Sequence, residues 1–179
     1  MSKKSLAIAL VALTIIASLA SIVYANLSQG TKAPNFTLPT LDEKKVTLAA
    51  NFKAPGNVVL LDIWATWCPP CRSEIPYLVK LYKDYGSKGL KVIGVAIDEK
   101  KGTVESFAKT NKINYTVALD PQAEKVGKSY SVRGIPVTYI IDKKGVIRYV
   151  HSGFPRDPED AKKEAAKIES EVKTLLNQK

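Results

Sequence analysis

The chain reads as an α/β sandwich built on one mixed β-sheet, and three observations predict it. Two largely apolar runs, Val58 to Ala65 and Leu90 to Ile97, broken by Asp62 in the first and Lys91 in the second, flank a segment of helical periodicity. Continuous apolar runs mark strands covered on both faces, which implies a parallel pair joined by a crossover helix. A further helix-then-strand pattern spans 103–119, an insert in the middle of the unit. Last come two strand-like runs joined by Asp142-Lys-Lys-Gly145 and then an amphipathic segment. That is a hairpin with a covering helix.

The elements follow in order. Pro34-Asn-Phe-Thr-Leu-Pro and Val46-Thr-Leu suggest an extended lead-in or a short hairpin, and Ala54-Pro-Gly-Asn is a turn. Val58 to Ala65 is the first buried strand. A helix should begin at Cys68, because Ile75, Leu78, Val79 and Tyr82 recur at helical spacing and Gly86 and Gly89 end it. Leu90 to Ile97 is the second buried strand. Thr103 to Lys109 is a helix with Val104, Phe107 and Ala108 inward, and Tyr115 to Leu119 a short strand. Asp120-Pro-Gln-Ala-Glu starts another helix, with Asp120 as cap and Pro121 at its first position. Val137 to Ile141 and Val146 to Val150 are hairpin strands. Asp157 caps the last helix, whose apolar stripe is Ala161, Ala165, Ile168, Val172 and Leu175.

The composition, 45% hydrophobic and 25% charged over 179 residues, suits one globular domain plus an extra segment. That segment is at the front. Lys3 and Lys4 precede an apolar run from Leu6 to Tyr24, and Val23-Tyr-Ala25 offers a cleavage site. The run is also long enough to span a bilayer. Residues 1–25 therefore read as a signal peptide or membrane anchor, 26–33 as a polar linker and 34–179 as the domain. Either outcome puts the domain outside the cytoplasm, anchored through residues 6–24 or secreted or periplasmic if cut after Ala25. The formal net charge is +10, but the lysines are scattered without an arginine-rich or aromatic-interleaved patch. Nucleic acid is not an expected partner; a solvated basic surface is the better reading.

Cysteine usage is sharper. An exported chain with only two cysteines, both in Cys68-Pro-Pro-Cys71, is poorly explained by structural stapling, since so short a loop barely constrains the unfolded chain. Redox chemistry explains it better. A thiolate attacks disulfides and a thiol does not. Cys68 stands where the cap of a helix should be, in the field of unpaired N–H groups, and Cys71 stands one turn in. Cys68 is the expected nucleophile and Cys71 the buried resolver. Pro69 and Pro70 have no N–H, so only Cys71 can donate to a capping sulfur. The expected thiol pKa is thus lowered only modestly, and the couple stays fairly reducing.

The segment Asp62-Ile-Trp-Ala-Thr-Trp-Cys-Pro-Pro-Cys-Arg resembles the active site of thioredoxin-fold proteins. Ser129-Tyr-Ser-Val-Arg-Gly-Ile-Pro-Val-Thr-Tyr-Ile-Ile-Asp resembles the segment carrying that fold's cis-proline. Pro76 five residues after Cys71, the final hairpin and the final helix agree. The lead-in hairpin and central insert resemble the TlpA/ResA-like (AhpC/TSA-redoxin-like) branch, over about residues 30–178. The resemblance implies a thioredoxin-like three-layer sandwich and membrane-tethered thiol–disulfide exchange, in several members serving cytochrome c maturation. It implies no cofactor and no metal.

Residue by residue, the resemblance makes Pro136 the cis-proline beside the dithiol, with Gly134 and Ile135 available to an incoming peptide. Asp62 falls on the buried acid that can take the proton of Cys71. Glu74 falls on an acid that the branch places near the cysteines, although complementing the helix dipole would also explain it. Both acids together are unusual for that branch. Trp67 should shield Cys68 and form part of the docking surface; Trp64 reads as core, Arg72 as a solvated charge and His151 as structural. The expected partners are a protein carrying a disulfide or dithiol and a membrane electron donor, with the chain a monomer. Reductase is favoured over oxidase.

Three rivals are weaker. Structural zinc wants about four Cys or His ligands, and a Cu(I) chaperone would have only the two thiolates and His151. A peroxidase is suggested by Gly30-Thr-Lys-Ala-Pro-Asn-Phe-Thr-Leu, which resembles the start of peroxiredoxin-type chains, but the threonine spacing around Cys68 does not match their reactive loop. A scaffold module needs neither the dithiol nor Gly-Ile-Pro.

Overall fold

A computed structural model describes residues 27–53 and 56–178. The apolar run 6–24, the cleavage site after Ala25 and part of the Ala54 turn lie outside the described residues. Among the described residues no helix is long and apolar enough to cross a membrane.

The elements are β1 (Thr37–Pro39), β2 (Lys45–Thr47), β3 (Val58–Trp64), α1 (Pro69–Tyr85), β4 (Leu90–Ala96) and α2 (Lys101–Thr110). After them come β5 (Thr116–Leu119), α3 (Val126–Ser129), β6 (Val137–Ile141), β7 (Ile147–Ser152) and α4 (Pro158–Leu176). The central sheet has the order β5-β4-β3-β6-β7. Its β3–β4 and β4–β5 pairs are parallel, and its β3–β6 and β6–β7 pairs antiparallel. This is the mixed sheet that two crossover units followed by a hairpin must build.

β3 is buried along its whole length. Its two faces have different partners. Val58, Leu60 and Trp64 pack with Ile75 and Leu78 of α1 and Ile168 and Val172 of α4. Val59, Leu61 and Ile63 pack with Phe36, Leu38, Leu48, Val126 and Tyr130. The lead-in and α3 thus make the third layer. The β1–β2 hairpin also shields the β5 edge, where the Leu41 N–H donates to the Val117 carbonyl. Residues 30–33, read as linker, cover the start of β7. The Gly30 N–H donates to the Ile147 carbonyl, and the Ile147 N–H to that of Thr31. Both sheet edges are thereby blunted against strand addition.

One element is displaced from its expected place. No helix starts at Asp120; a 3₁₀ turn covers Pro121–Ala123, and Gln122 and Ala123 adopt left-handed φ of 58° and 55°. The break postpones the helix to Val126. The Asp120 carboxylate still caps it, accepting from the amides of Lys125 (3.0 Å), Val126 (2.7 Å) and Gly127 (3.3 Å).

Candidate active site

β3 delivers the chain at the sheet's carboxyl edge, and the turn after it is tied down by Asp98. That carboxylate accepts from the Thr66 amide at 3.0 Å and the Thr66 hydroxyl at 2.5 Å. Cys68 then takes extended geometry as the N-cap of α1, with Pro69 and Pro70 filling the first two helical positions. Its sulfur accepts one backbone hydrogen bond, from the Cys71 N–H at 3.3 Å. The single donor is what the two prolines leave. Cys68 and Cys71 are joined as a disulfide, and both are buried. Trp67 beside them is 66% exposed, an aromatic face standing in solvent next to a reactive bond. Trp64 is fully buried, against Phe107. Arg72 is exposed.

The loop before β6 brings up the second half of the site. The Ile135–Pro136 peptide is cis, and the Cys68 sulfur lies 3.7 Å from the Ile135 carbonyl oxygen. Gly134 is exposed and Ile135 half-buried. The Pro136 carbonyl is occupied by the Gly153 N–H at 2.8 Å, which fixes the loop to the end of β7. A shallow groove of about 490 Å³ runs past Gly134, Ile135 and Pro136 towards Val150 and Gly153. The groove meets the disulfide only through Ile135, whose carbonyl oxygen faces the Cys68 sulfur.

Beneath the cysteines lie the two acids. Asp62 is 1% exposed and Glu74 2%. The Thr138 hydroxyl donates to Glu74 Oε1 at 2.8 Å. Asp62 Oδ1 and Glu74 Oε2 have no hydrogen-bond partner among the described residues. Burial raises the Asp62 carboxyl well above the ordinary range, and the neighbouring Glu74 raises it further. Burial likewise lifts Glu74 to about 7, with the Thr138 hydroxyl opposing and the Glu164 charge adding. Burial thus favours the protonated form of both acids, and for Asp62 the neighbouring Glu74 favours it further. Glu74 therefore does not serve the helix dipole: it lies beyond the first turn of α1 and is withdrawn from solvent, at the floor of a cleft between α1 and α4.

The structure brings Cys68, Cys71, Trp67, Gly134, Ile135 and Pro136 to one end of the sheet, with Asp62 and Glu74 below. Thr138 and Gly94 escaped the sequence reading. A Cβ on Gly94 would sit 2.9 Å from Trp64 Nε1 and 3.1 Å from Tyr115 Cε2. A lone glycine within an otherwise apolar strand run was the available signal of such a close approach. His151 is buried on β7, in contact with Glu164 and Glu171, rather than beside the cysteines.

Known proteins are similar to this chain in family and in fold. The AhpC/TSA family matches residues 29–150. Thioredoxin-like protein YneN of Bacillus subtilis is 38% identical over 130 residues, covering 71% of this chain and 73% of that protein. The thiol-disulfide oxidoreductase ResA of the same organism is 34% identical over 128 residues, covering 72% and 69%. Among solved structures, a thiol:disulfide interchange protein of the thioredoxin family from Chlorobium tepidum superposes with a TM-score of 0.68. It is 30% identical, covering 84% of this chain and 99% of that one.

Proposed function

Because the chain belongs to the AhpC/TSA family, we propose that it is the reducing partner in thiol–disulfide exchange with an extracytoplasmic protein. That it is a thiol-disulfide oxidoreductase follows from its relatives and its thioredoxin fold. The observation that carries the finer reading is the capped sulfur of Cys68, with one backbone donor, 3.7 Å from the carbonyl of Ile135 beside cis Pro136.

In the reduced protein the Cys68 thiolate attacks one sulfur of the client disulfide. The client S–S bond breaks, a mixed disulfide forms, and the departing client thiolate takes a proton from water. Cys71 then passes its proton to the Asp62–Glu74 pair and attacks the Cys68 sulfur. The second client thiolate leaves and is protonated in turn, and the Cys68–Cys71 disulfide remains. Two electrons have gone to the client, and a donor protein in the membrane must return them, since the compartment is oxidising.

Trp67, Gly134 and Ile135 form the docking surface in this reading. Residues 6–24 anchor the chain, 26–33 join anchor to domain, and the domain works as a monomer. An apocytochrome c, whose haem-attachment cysteines form a Cys-Xaa-Xaa-Cys pair, is the client class that the TlpA/ResA-like resemblance implies.

Cys71→Ser leaves the first attack intact and removes the second, so it should accumulate a mixed disulfide with the physiological client. Recovery of only abundant bystanders would count against a dedicated client. The couple should equilibrate nearer thioredoxin, about −270 mV, than protein disulfide isomerase, about −180 mV. A value at or above the latter would reverse the direction proposed.

A further inference from the structure

Consecutive strands place polar residues in one row beneath α1 and α4. Asp62 of β3 pairs with Thr138 of β6, and Thr138 pairs with His151 of β7. Alternation puts the row on the face that carries Leu60 and Trp64. Neighbouring strands lie about 4.8 Å apart, so the row runs roughly 10 Å from Asp62 to His151. Above it, Glu74 accepts from Thr138.

His151 is 6% exposed, with Nδ1 2.6 Å from Glu164 Oε1 and Nε2 2.7 Å from Glu171 Oε2. An ionised carboxylate only accepts hydrogen bonds, so a ring between two of them must donate from both nitrogens. Both ring nitrogens are thus placed to donate, one to each carboxylate. Glu164 faces both ways: it bonds His151, and its charge bears on Glu74.

Other titratable groups stand near Glu74 among the described residues. Asp62 faces it from β3, and Tyr115 reaches the pair from just before β5. On the rim of the α1–α4 cleft, Lys80 is paired with Asp84, Lys162 with Glu159, and Glu169 accepts from the Tyr85 hydroxyl. Among the described residues, His151 is the basic side chain within hydrogen-bond reach of Glu164.

We propose that His151 is a positioning residue for the redox step: by neutralising Glu164 it keeps the Glu74–Asp62 pair able to take the Cys71 proton. This rests on the reading of Glu74 as a proton acceptor for Cys71.

The test is the pH profile of single-turnover reduction of a disulfide peptide by the reduced full-length chain. His151→Gln leaves Glu164 and Glu171 without their basic partner and should move the profile's midpoint up by about one pH unit, a roughly tenfold loss of rate on its rising limb. Glu164→Gln removes the anion instead and should move it down. A merely structural role would lower both plateaus without moving the midpoints in opposite directions. In a Glu74→Gln background, His151→Gln should shift nothing further. An unmoved midpoint in His151→Gln, or shifts of the same sign in both variants, overturns the proposal. If His151→Gln does not fold, the direction of the Glu164→Gln shift decides. If Glu74→Gln itself matches the wild-type profile, the acceptor reading falls and the proposal with it. If Glu74→Gln moves the profile and His151→Gln does not, only the proposal falls.

Discussion

Two helices of this molecule start the same way and do different work. α1 and α4 each have an extended cap followed by proline. At α4 the Asp157 carboxylate accepts from the amides of Glu159 (3.0 Å) and Asp160 (3.1 Å), with Glu159 and Asp160 themselves adding negative charge to the first turn. At α1 the cap is a sulfur with one amide donor, no acid stands in the first turn, and Glu74 is buried a turn further on. The first start satisfies its helix. The second leaves the positive end of its helix under-compensated and puts a polarisable atom there. A stable helix end and a reactive one thus differ by a second proline and by where the acids sit.

The bluntest way to break the comparison is to exchange the sulfur for an inert cap. Cys68→Ser keeps an oxygen that can cap α1 but removes the nucleophile. Disulfide reduction should fall to the uncatalysed background while the fold, read by circular dichroism, persists. Retained activity would place the chemistry elsewhere.

The buried acid comes next in size. Glu74 is lifted to about 7 from an ordinary 4.5, chiefly by burial. The folded chain therefore binds this proton more tightly than the unfolded one. Its contribution is complete below about pH 4.5, declines as pH rises through the interval, and is lost above about 7. Glu74→Gln removes that loss. Urea denaturation of the disulfide form should find the variant more stable at pH 8 by up to about 3 kcal/mol and indistinguishable at pH 4. Equal stabilities at both would mean Glu74 ionises freely in the fold.

Restoring a donor sharpens the contrast between the two starts. Pro70→Ala returns an N–H to the second helical position, the one Asp157 uses at α4. A second hydrogen bond to the Cys68 thiolate should lower its pKa by about one unit and make the couple more oxidising by about 30 mV. Thiolate absorbance against pH reads the first and a thiol-buffer equilibrium the second. No change in either would show that the prolines act only by starting the helix.

How much of this was legible depended on how local each cause is. The caps at Cys68 and Asp157 could be read because a cap, a proline and an apolar stripe lie within one turn of chain. The strands β3 and β4 could be read because burial on both faces leaves a run that is apolar apart from Asp62 in β3 and Lys91 in β4. Pro136 was found through resemblance of its segment. Asp120 was recognised as a cap but assigned to the wrong turn, since the left-handed backbone at Gln122 and Ala123 leaves no mark in side-chain type. The partnership of Glu74 with Thr138, and of His151 with Glu164 and Glu171, was not readable. Those contacts arise from strand register and from where α4 lands, and no spacing along the chain encodes them.

The smallest expected effect is the control that gives the comparison its meaning. Asp157→Ala strips α4 of the carboxylate that accepts from two amides. Such a loss costs about 1 kcal/mol of stability. α4 also carries Ile168 and Val172 into the core beneath the dithiol, and Glu164 towards His151. If the fold is rigid across that distance, the fully folded variant should keep the wild-type Cys68 pKa and pH profile. A changed profile at unchanged stability would mean that the two helix starts are coupled through α4.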